Sequence, residues 1–367
     1  MTNHVCVAGG GPAGLAAALA LRQHGFQVTV VDCAIPPIDK ACGEGLLPDS
    51  VAALKHLGVE LDSAAGYPLR GIRFSDGAST VTGHFPNGAG RGIRRTYLHQ
   101  LLVKHAEAAN VRLVWGAKNV HLCEGGLAVQ GEILPASFVV GADGQKSVIR
   151  NSAGLDQVKS ERLRYGFRTH YKMAPWSDYV ELYWGRRGQV YITPISSDEV
   201  CVAVVSRDSK LRLADALTDF PMLQRRLAHV EHGSPEKGSM SISRQLKRVY
   251  KDGVALIGDA SGSVDAITGE GMCLAFKQAE ALAHALRQGC LEAYARRHQE
   301  IATKPRMMAS LMLVMEWHSE LQRRAMLALA QRPQVFESML KFHVGQTPMT
   351  GLLSRHLLGF GMDFLTA

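Results

Sequence analysis

The sequence predicts an α/β fold that combines a Rossmann-like domain with a parallel sheet, an antiparallel β domain and a C-terminal helical region. Three observations support this prediction. A glycine-rich turn separates a β-forming run from a helical run within Val7–Asp32. Alternating or clustered β-forming residues fill Arg164–Ser206, and helical patterns continue from Gly269 onward. The first pattern is typical of dinucleotide-binding units, and the second favours an antiparallel sheet.

The first domain is predicted to begin with a strand, a tight turn, a helix and a second strand. Short β-forming runs next to helical runs indicate buried parallel strands with crossover helices. Two later runs, before GADG and before GDAS, are expected to end at the same edge of the sheet. The expected elements are Val5–Ala8, Ala13–His24, Val28–Val31, Thr96–Ala109, Val111–Trp115, Phe138–Val140 and Val254–Ile257.

The second domain is predicted to be an antiparallel sheet with an apolar inner face. Strands are expected at Tyr179–Trp184, Gln189–Pro194 and Val200–Ser206, because turn-forming residues separate these runs. A hairpin within Ile72–Phe85 is expected to join the same sheet. The residues assigned to its inner face are Tyr183, Tyr191, Ile192 and Val202.

The last part of the chain is predicted to be helical, with Pro305 and Pro333 at first helical positions. The expected domains are residues 1–70, 93–155 and 245–290 for the cofactor domain, 71–92 and 156–244 for the substrate domain, and 291–367 for the C-terminal helices. The expected helices are Met272–Arg287, Leu291–Thr303, Pro305–Ala330 and Gln334–His343.

Composition limits the classes of function. The 367 residues carry a net charge of +8, but the basic residues are dispersed, so we expect no nucleic-acid partner. The seven cysteines form no C-x-x-C motif, and no stretch reaches the roughly 18–20 apolar residues of a membrane span. His229 and His232 lack a third ligand in the pattern, so no metal is expected. These features favour a cytoplasmic protein; peripheral contact with an anionic membrane and a merely solvated basic surface both stay open.

The first motif predicts a dinucleotide site. Gly9, Gly11 and Gly14 occupy the three fingerprint positions, which permit a tight turn, close approach of a pyrophosphate and close helix packing. The phosphates are expected at the N-terminus of the helix near Pro12 and Ala13, where amide groups favour anions. Asp32 ends the second strand and is placed to accept hydrogen bonds from ribose hydroxyls.

Two further motifs resemble those of one flavoprotein superfamily. The segment Gly141–Gly144, GADG, followed by QKSVIR, resembles the DG motif of the para-hydroxybenzoate hydroxylase-like flavoproteins. The segment Gly258–Gly271, GDASGSVDAITGEG, resembles their GD motif. This resemblance implies a Rossmann-like FAD-binding domain, with Asp259 on the ribityl chain and the amides of Gly271 and Met272 at the flavin's pyrimidine end.

Within that superfamily the chain resembles the geranylgeranyl reductase-like branch. Lys40–Leu46, KACGEGL, is similar to the branch's K-x-C-G-x-G segment beside the flavin. The sequence departs from the branch in two places. Ala266 replaces a proline, and the segment Gln189–Pro194 keeps only the proline of a prenyl-binding motif. Arg95 matches the superfamily's Arg-x-x-Leu helix and is expected at a phosphate or the ribityl chain. The residues expected at FAD are Gly9, Gly11, Pro12, Ala13, Gly14, Asp32, Cys33, Lys40, Gly43, Arg95, Val120, Asp143, Gly258, Asp259, Gly269, Gly271 and Met272.

The catalytic residues stay open. Cys42 is a candidate that touches substrate or flavin, and a small buried residue of a tight loop is the alternative. Glu44 is a candidate acid or base, and a structural carboxylate is equally compatible. The methionines of the third predicted helix, together with Trp317, are spaced as core residues but could also extend an apolar pocket; the methionines are Met307, Met308, Met312 and Met315.

The sequence supports a flavin enzyme with one of two reactions. The first is a monooxygenase that hydroxylates an apolar aromatic or polyketide-like substrate through a C4a-hydroperoxyflavin, as in secondary metabolism. The second is a dehydrogenase or ene-reductase that acts on a lipid or isoprenoid. A non-enzymatic flavin-binding module fits less well, because a whole substrate domain is present. The electron donor is expected to be NAD(P)H, including NADPH, or an external flavin reductase or electron-transfer partner.

Overall fold

The structure, a computed structural model, describes residues 3–62, 64–86 and 88–347. The predicted mixture of parallel strands, antiparallel strands and C-terminal helices is confirmed. In chain order the strands are β1 His4–Ala8, β2 Gln27–Val31, β3 Gly45–Leu46, β4 Tyr67–Leu69, β5 Gly71–Ser75, β6 Thr80–His84, β7 Gly90–Gly92, β8 Arg112–Val114, β9 His121–Cys123, β10 Gly126–Val129, β11 Glu132–Pro135, β12 Phe138–Gly141, β13 Val158–Tyr171, β14 Tyr179–Trp184, β15 Gly188–Pro194, β16 Val200–Ser206, β17 Lys237–Leu246, β18 Tyr250–Lys251, β19 Val254–Leu256 and β20 Gly262–Ser263.

The helices lie mainly in the first domain and at the C-terminal end of the chain. Short 3₁₀ turns follow β19 and β20, at Gly258–Ser261 and Ala266–Thr268. Among the described helices, none has the combination of length and apolarity that crossing a bilayer requires. The α-helices are α1 Pro12–Gln23, α2 Pro48–His56, α3 Arg95–Ala108, α4 Val148–Ser152, α5 Leu213–Leu217, α6 Pro221–Leu227, α7 Gly271–Arg287, α8 Leu291–Trp317, α9 Ser319–Gln331 and α10 Pro333–His343.

The first sheet has the strand order β18-β19-β12-β1-β2-β8. Its strands are parallel except for β18, which pairs antiparallel with β19. Ala8 at the end of β1 pairs with Gly141 on one side and Val31 on the other. The carboxyl ends of β1, β2, β12 and β19 therefore meet at one edge, so the residues that follow these strands lie close together.

The second sheet has the strand order β20-β17-β13-β16-β15-β14-β5-β6. The expected hairpin within Ile72–Phe85 is confirmed, because β5 and β6 form the edge of this sheet. Its contact with β14 is parallel, with Tyr179 opposite Gly71, whereas the other neighbours in the sheet pair antiparallel. The second sheet thus takes strands from two distant parts of the chain.

The prediction for Pro305 was wrong. Pro305 lies inside α8, which runs without a break from Leu291 to Trp317 and ends before the predicted Ala330. The buried face continues across the proline, from Tyr294 through Pro305 itself to Met312. Packing of this stripe outweighs the backbone hydrogen bond that the proline removes. Pro333 does occupy the first position of α10, as predicted.

The C-terminal helices cover one face of the second sheet. Phe336 on α10 packs against Phe74 on β5, with 4.8 Å between the ring centroids. Met312 of α8 and Met326 of α9 lie in the same apolar core, which also includes Leu182 of β14. The helices therefore form a cover over the sheet face that points toward the first domain.

Candidate functional site

A cavity of about 710 Å³ lies between the carboxyl edge of the first sheet and the covered face of the second sheet. One end is formed by the turns that follow β1, β2, β12 and β19. The other end is formed by β5, β14, β15 and β16 with α8, α9 and α10. We call these the glycine end and the methionine end. Every residue predicted at the cofactor lines this cavity except Gly14.

The glycine end has room for a phosphate group. Gly11 precedes the first residue of α1, and a Cβ atom at this position would meet no described atom within 4 Å. A Cβ at Gly14 would instead overlap the carbonyl oxygen of Gly9. Gly14 therefore permits the helix to pack against the turn, while Gly11 leaves the amide groups at the helix N-terminus open to the cavity. A pyrophosphate fits this arrangement.

Asp32 and His99 hold the glycine turn in place. The two carboxylate oxygens of Asp32 accept from the amides of Gly10, at 2.6 Å, and Ala34, at 2.7 Å. Nε2 of His99 lies 2.8 Å from the carbonyl oxygen of Gly10, so this nitrogen carries the proton. Burial lowers the pKa of His99, which keeps the ring neutral. Asp32 also lines the cavity, and its bond to a ribose stays a prediction.

Asp143 and Asp259 have different environments. Asp143 accepts from the amides of Val148, at 2.7 Å, and Ile149, at 3.1 Å, and therefore caps α4. Asp259 pairs with Lys40 at 2.9 Å across the cavity wall. Burial works to raise the pKa of Asp259, but the charge and hydrogen bond of Lys40 bring it below its usual value. Asp259 is thus an ionised acceptor at the cavity, whereas Asp143 stabilises a turn.

Glu44 has the surroundings of a structural carboxylate. One oxygen accepts from the amide of Arg95 at 2.9 Å, and the other lies 2.7 Å from Nε2 of His170. Nδ1 of His170 lies 3.0 Å from a guanidinium nitrogen of Arg168, which can only donate. The proton of His170 therefore points to Glu44, and both carboxylate oxygens are engaged. This geometry favours the structural alternative for Glu44.

Cys42 lies beside this carboxylate and lines the cavity. Its sulfur accepts from the amide of Glu44 at 3.4 Å, and its carbonyl oxygen accepts from the buried thiol of Cys201 at 3.6 Å. Burial raises the pKa of Cys201 well above its usual value, so this thiol stays protonated. Glu44, His170 and Cys201 come within 4.8 Å of one another, as metal ligands would. The protons on His170 and Cys201 instead make the group a hydrogen-bonded brace for the Cys42 loop.

Arg95 lies at the start of α3 and reaches the cavity from its own helix. Its Nε is buried without a hydrogen-bond partner among the described atoms, and one terminal nitrogen lies 3.8 Å from the sulfur of Met272. A buried guanidinium nitrogen without a partner is costly unless a ligand satisfies it. Arg95 is therefore suited to an anionic or hydroxyl-bearing group in the cavity.

The methionine end has an apolar lining. Met308, Met312 and Met315 line the cavity, but Met307 does not. The hydroxyl of Tyr191 also lies there and donates to the carbonyl of Ile267 at 2.9 Å. Other apolar residues on this wall include Ile72, Phe74, Val180, Leu182, Val204, Leu311, Leu329, Phe336, Met339 and Leu340.

Part of the predicted substrate wall was wrong. Tyr183, Ile192 and Val202 lie on the opposite face of the second sheet, where they pack under α5 and α6. Successive side chains of a strand point to opposite faces, so Tyr191 and Ile192 cannot share one. Trp317, predicted to extend the pocket, is exposed and stacks with Arg207 at 4.9 Å.

Sequence reasoning missed two residues at the methionine end. His343, the last residue of α10, lines the cavity, and Glu270, which precedes α7, lies beside it. His343 follows no recognisable local pattern, because it ends a helix far along the chain from the cofactor motifs. Glu270 stands between Gly269 and Gly271. The prediction of cofactor residues includes these two glycines and gives Glu270 no role.

Comparison with known proteins agrees with this geometry. A family model described as FAD binding domain matches residues 2–306. A Bacillus subtilis protein, YetM, whose name describes an FAD-dependent monooxygenase, is 28% identical over 349 residues, or 84% of this chain and 92% of that protein. A menaquinone reductase of Mycobacterium tuberculosis is 30% identical over 297 residues, or 73% of this chain and 72% of that protein.

The fold is also found in a solved structure. A flavoprotein/dehydrogenase from Cytophaga hutchinsonii superimposes with a TM-score of 0.79 at 20% identity, over 93% of this chain and 92% of that one. The open glycine end, the ionised Asp259 and the unpartnered Arg95 nitrogen suit the phosphates and hydroxyls of the cofactor that this family binds. The chain belongs to the FAD binding domain family: it is an FAD-dependent oxidoreductase related to both monooxygenases and reductases.

Proposed function

We propose that the protein is a monooxygenase that hydroxylates a large apolar aromatic or polyketide-like substrate. The observation that carries this proposal is the apolar wall of the methionine end. In the described part of the chain, the cations that line the cavity are Lys40, Arg95, Lys146 and Arg168. None of them belongs to the strands β14–β16 or to the helices α8–α10 that form this wall.

The chain's own residues divide the cavity between cofactor and substrate. We assign the pyrophosphate to the turn at Gly11, the ribose to Asp32 and the ribityl chain to Asp259. The amides that open α7, at Gly271 and Met272, would lie at the pyrimidine end of the ring system, where they stabilise negative charge. Bound FAD supplies two-electron transfer and the activation of oxygen. NAD(P)H or an external reductase supplies the electrons.

The wall lacks a site for a small carboxylate substrate. Both buried arginines of β13 are already paired: Arg164 is engaged by Asp265 at 3.1 Å and by Glu316, and Arg168 is engaged by Asp39 at 2.6 Å. Arg186 pairs with Asp219 on the surface at 2.8 Å. An apolar ligand instead matches the wall and excludes water from the cavity. Oxygen chemistry at a reduced flavin requires that exclusion of water. The extensive similarity to YetM supports the same reaction.

Reduction of a lipid or isoprenoid is the second candidate. Similarity to a menaquinone reductase supports it, and the Lys40–Leu46 segment lies at the cavity as that reaction would need. The same apolar wall accommodates an isoprenoid chain as readily as an alkylated ring. The two reactions differ in whether oxygen enters the product.

The test uses the FAD-loaded enzyme, NADPH with a flavin reductase, and ¹⁸O₂. We expect para-nonylphenol to gain one oxygen-18 atom, and benzoate to gain none. Gly11→Val protein, which we expect to lack FAD, gives the background. Unchanged para-nonylphenol, together with anaerobic loss of a side-chain double bond from menaquinone, would establish the second candidate instead.

A further inference from the structure

A buried acid and a buried imidazole face each other at the methionine end. Glu270 precedes α7 and His343 ends α10, so two distant parts of the chain bring them together. Their Oε2 and Nδ1 atoms lie 3.6 Å apart, and the two residues are 3% and 8% exposed. Both atoms lack a hydrogen-bond partner among the described residues. A purely structural pair would be expected to satisfy these atoms.

A second ionisable pair, Asp49 and Lys277, lies within electrostatic reach of this site. One carboxylate oxygen of Asp49, on α2, accepts from the ammonium of Lys277 at 2.6 Å and from the thiol of Cys273 at 3.0 Å. The other oxygen of Asp49 is buried without a partner in the described part of the chain. The side chain of Lys277 is 36% exposed. Ionisable groups therefore extend from solvent to the cavity wall.

The surroundings decide which member of the first pair holds the proton. Burial, followed by the charge of Asp49, raises the pKa of Glu270 to about 8, against the opposing effects of Lys277 and Thr268. Burial lowers the pKa of His343 to about 4, although Asp49 and the backbone of Thr268 oppose it. Near neutral pH, Glu270 is therefore protonated and His343 is uncharged. The pair holds one transferable proton and no net charge.

We propose that Glu270 and His343 form a proton relay that serves the reaction in the cavity. His343 delivers the proton, because it is the member of the pair that lines the cavity. Glu270 acts through His343, to which it donates its carboxyl proton. This inference rests on the proposed function of the same site. Asp49 and Lys277 provide the route by which Glu270 regains a proton from solvent.

One cycle moves a proton and no electrons. As an anion forms in the cavity, one nitrogen of His343 gives its proton to that anion, and Nδ1 takes the carboxyl proton of Glu270. Glu270 is then a carboxylate, and it regains a proton from water along Asp49. His343 is neutral throughout the net step but now carries its proton on Nδ1, and it regains its starting tautomer when that proton passes to the other nitrogen. The net change is one proton taken from water for each anion neutralised.

The direct test measures proton uptake without substrate or oxygen. Bound FAD is reduced anaerobically by rapid mixing with reduced methyl viologen, a one-electron donor that releases no proton, and a pH-indicator dye follows the protons that the enzyme takes up. We expect uptake in Glu270→Gln and His343→Gln to be at least about tenfold slower than in the wild type. Glu270→Asp should restore most of the rate. Because no substrate is present, failure of hydroxylation leaves this result unaffected.

His298 offers a matched control. It is also a buried histidine with a pKa lowered to about 4, but it hydrogen-bonds Ser261 at 2.9 Å and does not line the cavity. His298→Gln should take up protons at the wild-type rate. Wild-type uptake in Glu270→Gln, or equal slowing in His298→Gln, would overturn the relay. NMR of ¹³C-labelled histidine in the FAD-free protein gives a second measurement: a His343 signal that titrates near its ordinary pKa would also overturn it.

Discussion

The two ends of the cavity are built in different ways. The glycine end is built around glycine-rich backbone turns, supplied by short consecutive segments after parallel strands, such as Gly9–Ala13 and Gly258–Gly271. The methionine end consists of side chains from strands and helices that lie more than a hundred residues apart, such as Phe74 and Met312. The first end has a fixed shape set by backbone, whereas the second end has a shape set by flexible side chains.

The two ends therefore select their ligands in different ways. At the glycine end, any added atom takes space from the ligand or from the fold, so substitution is poorly tolerated. At the methionine end, unbranched thioether side chains adapt to different apolar shapes. We therefore expect the cofactor to be specified strictly and the substrate to be specified mainly by size and polarity.

The largest effect is expected from Gly14→Val. The added side chain would overlap the carbonyl oxygen of Gly9, a backbone atom that cannot move without displacing β1. We expect a loss of about 3 kcal/mol or more in the free energy of unfolding. Urea denaturation of the FAD-free protein measures this loss, and a wild-type midpoint would contradict the packing described for Gly14.

Gly11→Val separates the cofactor from the fold. A side chain at Gly11 meets no described atom within 4 Å, so the FAD-free protein should unfold at the wild-type urea midpoint. FAD affinity should fall at least about a hundredfold, or about 2.8 kcal/mol, because the side chain occupies the space of the pyrophosphate. Fluorescence titration with FAD gives the affinity. Normal retention of FAD would place the pyrophosphate elsewhere.

Asp259→Ala should mainly weaken FAD binding, whereas Asp143→Ala should mainly reduce the free energy of unfolding. Asp259 is an ionised acceptor at the cavity, so its loss should weaken FAD binding by about 1.5–3 kcal/mol. Asp143 caps α4, so its loss should reduce stability by about 1 kcal/mol and affect FAD less. Calorimetric titration and urea denaturation of both variants provide the comparison. An equal or reversed loss of FAD affinity would refute these roles.

Met312→Trp tests the methionine end against a neighbour on the same helix. Met312 lines the cavity, whereas Val314 is exposed and does not. We expect Met312→Trp to weaken binding of para-nonylphenol about tenfold, because the larger ring fills substrate space, and to leave FAD affinity unchanged. Val314→Trp should match the wild type in both measurements. Equal effects of the two substitutions on the phenol would indicate a different substrate site.

Glu270→Gln should change the pH dependence of stability. The pKa of Glu270 rises from 4.5 to about 8 on folding. Its contribution to the free energy of unfolding is therefore full below pH 4.5, declines as the pH rises, and is lost above about pH 8. The wild type should therefore lose about 1–3 kcal/mol relative to the variant between pH 5 and pH 8. His343 has the opposite sign, since its lowered pKa costs stability only on the acidic side. Urea midpoints of both proteins that change in parallel with pH would contradict the assignment.

The sequence predicted the glycine end in detail because its chemistry needs particular residues at consecutive positions. A turn that approaches a pyrophosphate requires glycine at Gly11, and an acid after β2 follows at Asp32, so both leave a local pattern. The strands of the second sheet were also predictable from their alternation. Their inward face was not, because the strand itself does not determine which side the helices cover, and this led to the wrong placement of Ile192.

The methionine end could not be predicted for a related reason. Met308 and Met312 have the spacing of an ordinary core helix, and only contact with the second sheet opens a cavity beside them. Pro305 was assigned to a helix start because local rules favour it there, whereas tertiary packing keeps it inside α8. His343 meets Glu270 only through the packing of α10 near the start of α7, which no local pattern indicates.

The central claim is that FAD at the glycine end faces an apolar ligand at the methionine end. Titration of the FAD-loaded protein with para-nonylphenol, followed by the flavin absorbance spectrum, tests it most directly. We predict a saturable spectral shift that Met312→Trp weakens and Val314→Trp preserves, and no shift with benzoate. A clear shift with benzoate and none with para-nonylphenol would contradict the claim.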